Sequence, residues 1–494
     1  MQNSALKSPF QTKALLVLFF LMLSRLFAMI FIPLNDSTEA RYGEIARKML
    51  ETGNWVTPLH DYGVPFWAKP PLSTWLSAFS MKIFGVNEFA ARLPALLLSI
   101  VIVWLVWDLV KKYKDAKTAI VTTLFLSGSL YFFLDSGTVM TDPALLFSIT
   151  LSMVAFWHAF KTGSKIWGYL FFTGLGLGLL AKGPISTVLI GMPIFFWVLI
   201  TKQWKTLWQK LPWFSGVCLM LAIALPWYIL AEYRTPGFLQ YFIVGEHFSR
   251  FWEPGWAGDK YGSAHIQPHG MIFVYAFTGF FPWTLIALLF LIVRFKKFPT
   301  IPIKADTEGW SLFLLCWALL PLLFFSLAGN IIYPYVFPCL PPMAILFAEL
   351  WMQSKPQPKN ETQLLFLASI IGSIFLIGTC LFISIPSEMG KSQKIVIKAW
   401  RKQDPTASGT LIYWSTKPDY SANFYTAGKV KAVENVDKLK QLLTQNNNNY
   451  IIIKEDKLHQ IPDNLLNSFV KLDAIKMRKI TFILFKHKES TMKS

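Results

Sequence analysis

From residue 14 to 385 the chain alternates long apolar runs with short polar connections. The runs fall at about 14–34, 90–110, 118–134, 143–160, 166–181, 184–201, 211–231, 271–293, 309–327, 336–352 and 361–385. A helix crosses the ~30 Å hydrocarbon layer of a bilayer with roughly 20 apolar residues. The pattern therefore predicts a mainly α, polytopic bundle of about 11–13 transmembrane helices, occupying residues 1–385. Three stretches break the rhythm: a first loop at about 35–89, a loop over Glu232–Gly270 and a polar tail over 386–494.

Within the first loop, Tyr42, Ile45, Ala46, Met49 and Leu50 repeat at i, i+3, i+4, i+7 and i+8, the apolar stripe of an amphipathic helix. After Pro70-Pro71 the stripe recurs at Leu72, Trp75, Leu76 and Phe79. Two helices lying on the membrane interface, joined by an extended, Pro-fixed crossing, are expected. The tail reads as a small α/β domain. TLIYWS (410–415), NYIIIKE (449–455) and KITFILFKH (479–487) have strand composition, whereas NVDKLKQLLTQ (435–445) and DNLLNSFVKL (463–472) have helical spacing. Asn446–Asn449 reads as a low-complexity loop.

Composition agrees with the pattern, since 54% of residues are hydrophobic and the mean hydropathy is +0.43, more than a soluble core of this size requires. Charge then orients the bundle, because short cytoplasmic loops collect Lys and Arg. KKYKDAK (111–117), KTGSK (161–165), KQWKTLWQK (202–210), RFKKFPTIPIK (294–304) and QSKPQPK (353–359) alternate with LDSGTVMTD (134–142), AKGP (181–184) and AGNIIYPY (328–335), where Lys182 is the one basic residue. The N-terminus is thus inside, and the first loop, the Glu232–Gly270 loop and the tail lie on the outer side. Lys7 and Lys13 precede a run with no small-residue cleavage site, which reads as an uncleaved first helix. The net charge of +19 reflects this topology and anionic headgroups, not nucleic acid, for which no motif is present. Cys218, Cys316, Cys339 and Cys380 sit in apolar runs and read as packing residues.

Several outer residues carry candidate chemistry. Asp36 and Glu39 are placed to deprotonate an acceptor or bind a metal, and equally to form a capping box at the start of a helix. Asp142, before Pro143, reads both as a helix cap and as a site carboxylate. Arg41, Lys69 and Lys182 converge on the same face, a combination suited to a lipid phosphate or pyrophosphate, although a single Lys at a helix end often snorkels. His60, His247, His265 and His269 show no metal-ligand spacing. A surface role fits them, with a metal site through His247 and an acidic partner as the other reading. Trp252, Trp256 and Trp283 fit an interfacial aromatic belt.

DSTEARYGEIARKMLETGNWVTP (36–58), FWAKPPLSTW (66–75), ARLPALL (91–97), TDPALL (141–146), AKGP (181–184), EHFSRF (246–251), FPWTL (281–285) and YVFPCLPPMA (335–344) occur in this order. As an ordered set over about residues 14–350, they resemble the bacterial C-type glycosyltransferases, in particular the lipid A aminoarabinose transferases and, more distantly, the protein O-mannosyltransferases. The resemblance implies an inner-membrane enzyme. It would take a sugar from a polyprenyl-phosphate carrier and transfer it, with inversion, to a periplasmic acceptor, lipid A or another envelope glycolipid. It places Asp36 or Glu39 with Asp142 as the carboxylates, and Arg41, Lys69 and Lys182 on the carrier phosphate. Tyr335 matches a tyrosine that lines the family cavity, and Tyr42, His247 and Arg250, within the quoted motifs, join the expected substrate-binding set. No cofactor is implied as required, and a divalent metal is left open. The chain departs from the family at Thr38 and Ala68, where relatives carry carboxylates, and at Ile331–Pro334, where Lys-Leu-Pro is common. Protein O-glycosylation is the alternative within enzymes. A lipid-linked sugar transporter or flippase is the alternative outside them, and it predicts mid-helix ionisable residues and repeated, broken helices.

Overall fold

A computed structural model describes residues 9–262, 265–293, 309–385, 390–445 and 448–488. Lys7, the basic connection 294–304 and Asn446-Asn447 lie outside the described residues. All eleven apolar runs fall on helices. Helix α1 spans Pro9–Phe31, α4 Glu88–Tyr113, α7 Asp142–Thr162, α9 Pro184–Thr201, α11 Trp213–Arg234 and α17 Pro358–Ser384. These six, with the continuous helical run Tyr333–Gln353, are the seven described helices long and apolar enough to cross a membrane. The remaining runs are shorter or broken. Gly128 and Ser129 split the third into α5 (Ala116–Ser127) and α6 (Leu130–Asp135), and the eighth divides into α13 (Met271–Gly279) and α14 (Trp283–Val293). Helices α8 (Lys165–Lys182) and α15 (Trp310–Ser326) complete the set.

Helix α7 is the bundle's centre, its residues buried from Asp142 through Ala159 with few exceptions. Small residues let α8 approach it: a Cβ on Gly174 would lie 2.2 Å from Ser152 Oγ, so only glycine permits this crossing. Helices α11 and α17 instead turn apolar side chains such as Phe214, Ile229, Phe366 and Ile374 outward, as lipid-facing surfaces do. Cys218 and Cys380 share these outer faces and are exposed, so only Cys316 and Cys339 are the packing residues expected. Trp283, expected in an interfacial belt, is 1% exposed and packs edge-on against Phe125, because the break before α14 turns it into the core.

The first loop forms α2 (Thr38–Thr52), a short hairpin of β1 (Leu59–Asp61) and β2 (Val64–Pro65), and α3 (Leu72–Phe84). Helix α3 leaves Phe79 and Ile83 exposed, as an interfacial helix would. Helix α2 differs from expectation, because its polar side is buried as well. Glu44, Arg47 and Lys48 are covered, with Arg47 bridging Glu44 at 2.6 Å and Glu51 at 2.7 Å. The cover is the tail, whose Phe424 ring lies 3.6 Å from where a Gly43 Cβ would sit.

The tail folds into a five-stranded mixed sheet in the order β4-β3-β5-β7-β6. Strand β3 (Thr410–Trp414) is parallel to both β4 (Val430–Val433) and β5 (Asn449–Lys454), while β7 (Ile480–His487) runs antiparallel to β5 and to β6 (Phe469–Met477). Val396 and Trp400 of the helix Lys394–Gln403 pack on one face, and Leu439 of the helix Val436–Gln445 packs on the other. The helix expected over 463–472 is a single turn, Asp463–Leu466, followed by β6. Pairing with β7 overrides the local helical spacing there.

Candidate functional site

Helices α1, α4, α7, α8 and α9 end beside the first loop at the bundle face opposite the basic connections, and there they enclose a cavity of about 830 Å³. Asp36, Glu39, Arg41, Tyr42, Lys69, Asp142, Lys182, His247, Arg250 and Tyr335, the ten residues singled out from sequence, all line it. Local structure explains several placements. Lys182 closes α8 because Gly183, at φ +84, reverses the chain into Pro184 of α9. A Cβ on Gly183 would meet the Phe242 ring at 2.5 Å. Residues Gln240–Ser249 form a π-helical segment, a wide turn that carries Glu246 and His247 to the cavity with Arg250 directly after.

Most of the charge is paired within the wall. Lys182 Nζ contacts Asp142 Oδ1 at 2.6 Å and lies 5.4 Å from the Tyr335 ring centre, and Tyr335 stacks on Phe325. Asp142 thus serves Lys182. It makes no cap, since Thr141 occupies the N-cap position without a side-chain bond. Glu246 binds Lys69 at 2.7 Å and Arg250 at 3.2 Å, and Arg250 also reaches Asp259 at 3.2 Å. Burial pushes the Glu246 carboxyl up, but Lys69 and Arg250 outweigh it and hold the group below its ordinary range.

The two carboxylates of the first loop differ. Glu39 forms a two-pronged bridge to Arg92, with both contacts at 2.7 Å, and accepts the Asn35 and Val139 N–H groups. Burial opposes its ionisation, yet these partners keep it ionised below the usual glutamate range. Asp36 is neither a cap nor half of a capping box, because Ser37 is the N-cap and makes no side-chain bond. Its carboxylate accepts from the backbone N–H of Ser421 at 3.0 Å and from the Ser421 hydroxyl. Burial, reinforced by nearby Asp419, outweighs those bonds and raises it to about 7.

His247 is not the surface residue or metal ligand anticipated. Its Nδ1 lies 2.8 Å from the Phe242 carbonyl and its Nε2 3.1 Å from the Lys182 carbonyl, and the neutral ring donates its one N–H to one of these two acceptors. Asp142, Glu39 and Glu246 are likewise engaged by cations, and no group of three His, Cys, Asp or Glu residues among those described is placed to hold a metal ion. Among the described residues, then, these donors are committed to one another rather than gathered around a metal position.

Sequence reasoning missed several wall residues. Arg92, Glu246 and Asp259 complete the ion pairs, and the Tyr261 carbonyl accepts from Arg41. Arg25, inside α1, is 7% exposed and lines the cavity. Its Nη2 donates to the Leu134 carbonyl at 2.6 Å and to Thr138 Oγ1 at 3.2 Å, while its Nε has no partner. An arginine within an apolar span was the available signal. Of the six cations lining the cavity, Lys69, Arg92, Lys182 and Arg250 have carboxylate partners; Arg25 and Arg41 form no ion pair among the described residues.

Residues 12–242 match the family described as dolichyl-phosphate-mannose-protein mannosyltransferase. The chain is 28% identical over 355 residues to an undecaprenyl phosphate-alpha-4-amino-4-deoxy-L-arabinose arabinosyl transferase of Enterobacter sp. (strain 638), covering 70% of this chain and 60% of that one. It is 30% identical over 322 residues to a transferase of the same description from Pseudomonas fluorescens (strain Pf0-1), covering 63% and 52%. The chain thus spans about half to three-fifths of the length of these relatives. In three dimensions it resembles the crystal structure of ArnT from Cupriavidus metallidurans bound to undecaprenyl phosphate, with a TM-score of 0.74 at 18% identity, over 96% of this chain and 98% of that one. The apo oligosaccharyltransferase of Archaeoglobus fulgidus follows at a TM-score of 0.51 and 11% identity, over 92% and 71%. The fold is that of the ArnT crystal structure, and the apolar helices make this a multi-pass membrane protein with a small C-terminal sheet domain.

Proposed function

We propose that this chain is an inverting glycosyltransferase of a bacterial inner membrane, moving a sugar from undecaprenyl phosphate to an envelope glycolipid such as lipid A on the periplasmic side. The observation that carries the proposal is the charge pattern of one cavity at the outer end of the bundle. Four cations are preset by carboxylates, and Arg25 and Arg41 are left for an anionic ligand. Arg25 is buried and Arg41 half-buried, neither in a direct ion pair among the described residues, and a lipid phosphate supplies such a partner. The names of the relatives and the fold support the same substrate class.

The geometry suits a single displacement. The acceptor oxygen attacks the anomeric carbon, the bond from that carbon to the carrier phosphate oxygen breaks, and Asp36 takes the acceptor's proton. Arg25, Arg41 and the preset Lys69 and Lys182 stabilise the charge that grows on the departing phosphate. Glu39, locked on Arg92, is the poorer base of the two. Comparing mass spectra of envelope glycolipids from cells with and without the protein tests the proposal. Loss of one sugar-sized increment from lipid A is expected; unchanged glycolipids with altered glycoproteins would replace the acceptor by protein.

A further inference from the structure

Three consecutive residues at the exit of α1 are gripped by the C-terminal domain. The Leu34 N–H donates to Tyr425 Oη at 2.8 Å, and that hydroxyl donates to Glu88 at 2.9 Å. Asn35 Oδ1 accepts the Lys391 N–H at 3.0 Å, and Asp36 accepts both donors of Ser421. Ser421 is 0% exposed, and its Oγ accepts the Gln393 N–H at 2.9 Å, so its single hydroxyl proton is left for Asp36. Gln393 is fixed in turn. Its Nε2 donates to Asp419 at 2.7 Å, and its Oε1 accepts from Tyr413 Oη at 3.0 Å, where Tyr413 is a fully buried residue of β3. A continuous line of hydrogen bonds therefore runs from the core of the sheet domain to the cavity carboxylate. No described residue of that domain lines the cavity itself.

We propose that Ser421 is a positioning residue for sugar transfer, aiming the Asp36 carboxylate at the acceptor, so that the C-terminal domain completes the site from outside the cavity. This rests on the reading of Asp36 as the proton acceptor. Holding a carboxylate with neutral donors orients it without neutralising it, whereas a bridge such as Glu39–Arg92 commits the charge elsewhere. The titratable groups around Asp36 are Asp419, Tyr413 and Tyr420 from the domain and Glu39 of α2, already paired with Arg92 of α4.

Both Ser421 bonds favour the ionised form of Asp36, so losing the hydroxyl bond while the backbone N–H stays moves its titration to higher pH. The test uses the full-length protein in lipid vesicles with undecaprenyl phosphate-aminoarabinose and lipid A. The pH dependence of kcat/KM is read alongside carbodiimide labelling of Asp36 mapped by mass spectrometry, which follows its titration whether or not transfer occurs. Ser421→Ala is expected to shift both midpoints upward by on the order of one pH unit. Tyr425→Phe, which loosens the same docking without touching Asp36, is expected to lower Tm and leave both midpoints in place. Unmoved midpoints in Ser421→Ala, or an equal shift in Tyr425→Phe, would overturn the role of Ser421. A wild-type protein that transfers no sugar, with the labelling shift intact, would instead overturn the proposed function.

Discussion

Asp36 and Glu39 stand one helical turn apart in sequence, yet they belong to two different regions of the molecule. Glu39 faces the membrane bundle, where Arg92 of α4 grips it from one side while capturing the carbonyls of Met29, Ile32 and Pro33 from the other. Asp36 faces the C-terminal domain and meets only neutral donors. Burial acts on both, but a fixed cation wins at Glu39 and burial wins at Asp36. On the proposed reading, the difference separates two roles: the paired carboxylate holds the loop, and the one free of a cation exchanges the acceptor's proton.

Breaking the architectural side should have the largest effect. Arg92→Ala strands a buried Glu39 and frees the exit of α1, and should cost about 3–5 kcal/mol of stability, read as a lowered Tm in detergent. Next, Lys182→Met removes a preset cation and leaves Asp142 unpaired. It should raise the KM for the lipid donor by on the order of 10–100-fold, with Lys182→Arg recovering most of the loss, as measured by initial rates. Arg25→Met sharpens the contrast, since Arg25 forms no ion pair among the described residues. Donor KM should rise by about tenfold with a smaller fall in Tm than Arg92→Ala shows, because the ligand contact is lost together with the neutral hydrogen bonds to the Leu134 carbonyl and Thr138 but no ion pair is broken. The smallest effect is that of pH on the wild type. With Asp36 titrating at about 7 and serving as the proposed base, its ionised form is lost as pH falls, so kcat/KM should drop about tenfold for each unit below that value and level off above it.

Much of this was legible in the sequence. Charged residues flanking apolar runs are expensive unless they face water or one another, so the ten chosen on alternate loops had little choice but to gather at one end of the bundle. Their partners were not legible. Glu246 and Asp259 lie more than a hundred residues from Lys69, and only the packing of the π-helical segment against the first loop brings them together. Asp36 and Glu39 fitted a capping box by spacing, but starting α2 at Thr38 with Ser37 as cap turns Asp36 out of that role. Arg25 was hidden by the apolar run around it. In the tail, the strands with continuous apolar cores, β3, β5 and β7, were visible, while β6 was not. Leu465 and Leu466 before it, with Phe469 and Val470 at its start, mimic helical spacing, and only β7 as a neighbour makes them a turn and an edge strand.

The division of labour between the two carboxylates is tested most directly by Asp36→Asn in the reconstituted protein, with transfer from undecaprenyl phosphate-aminoarabinose to lipid A and Tm measured on the same preparation. The expected result is a loss of kcat of roughly 100-fold or more, the scale of a general base, with little change in Tm. Full transfer by Asp36→Asn, with Tm unchanged, would contradict the assignment of Asp36 as the group that takes the acceptor's proton.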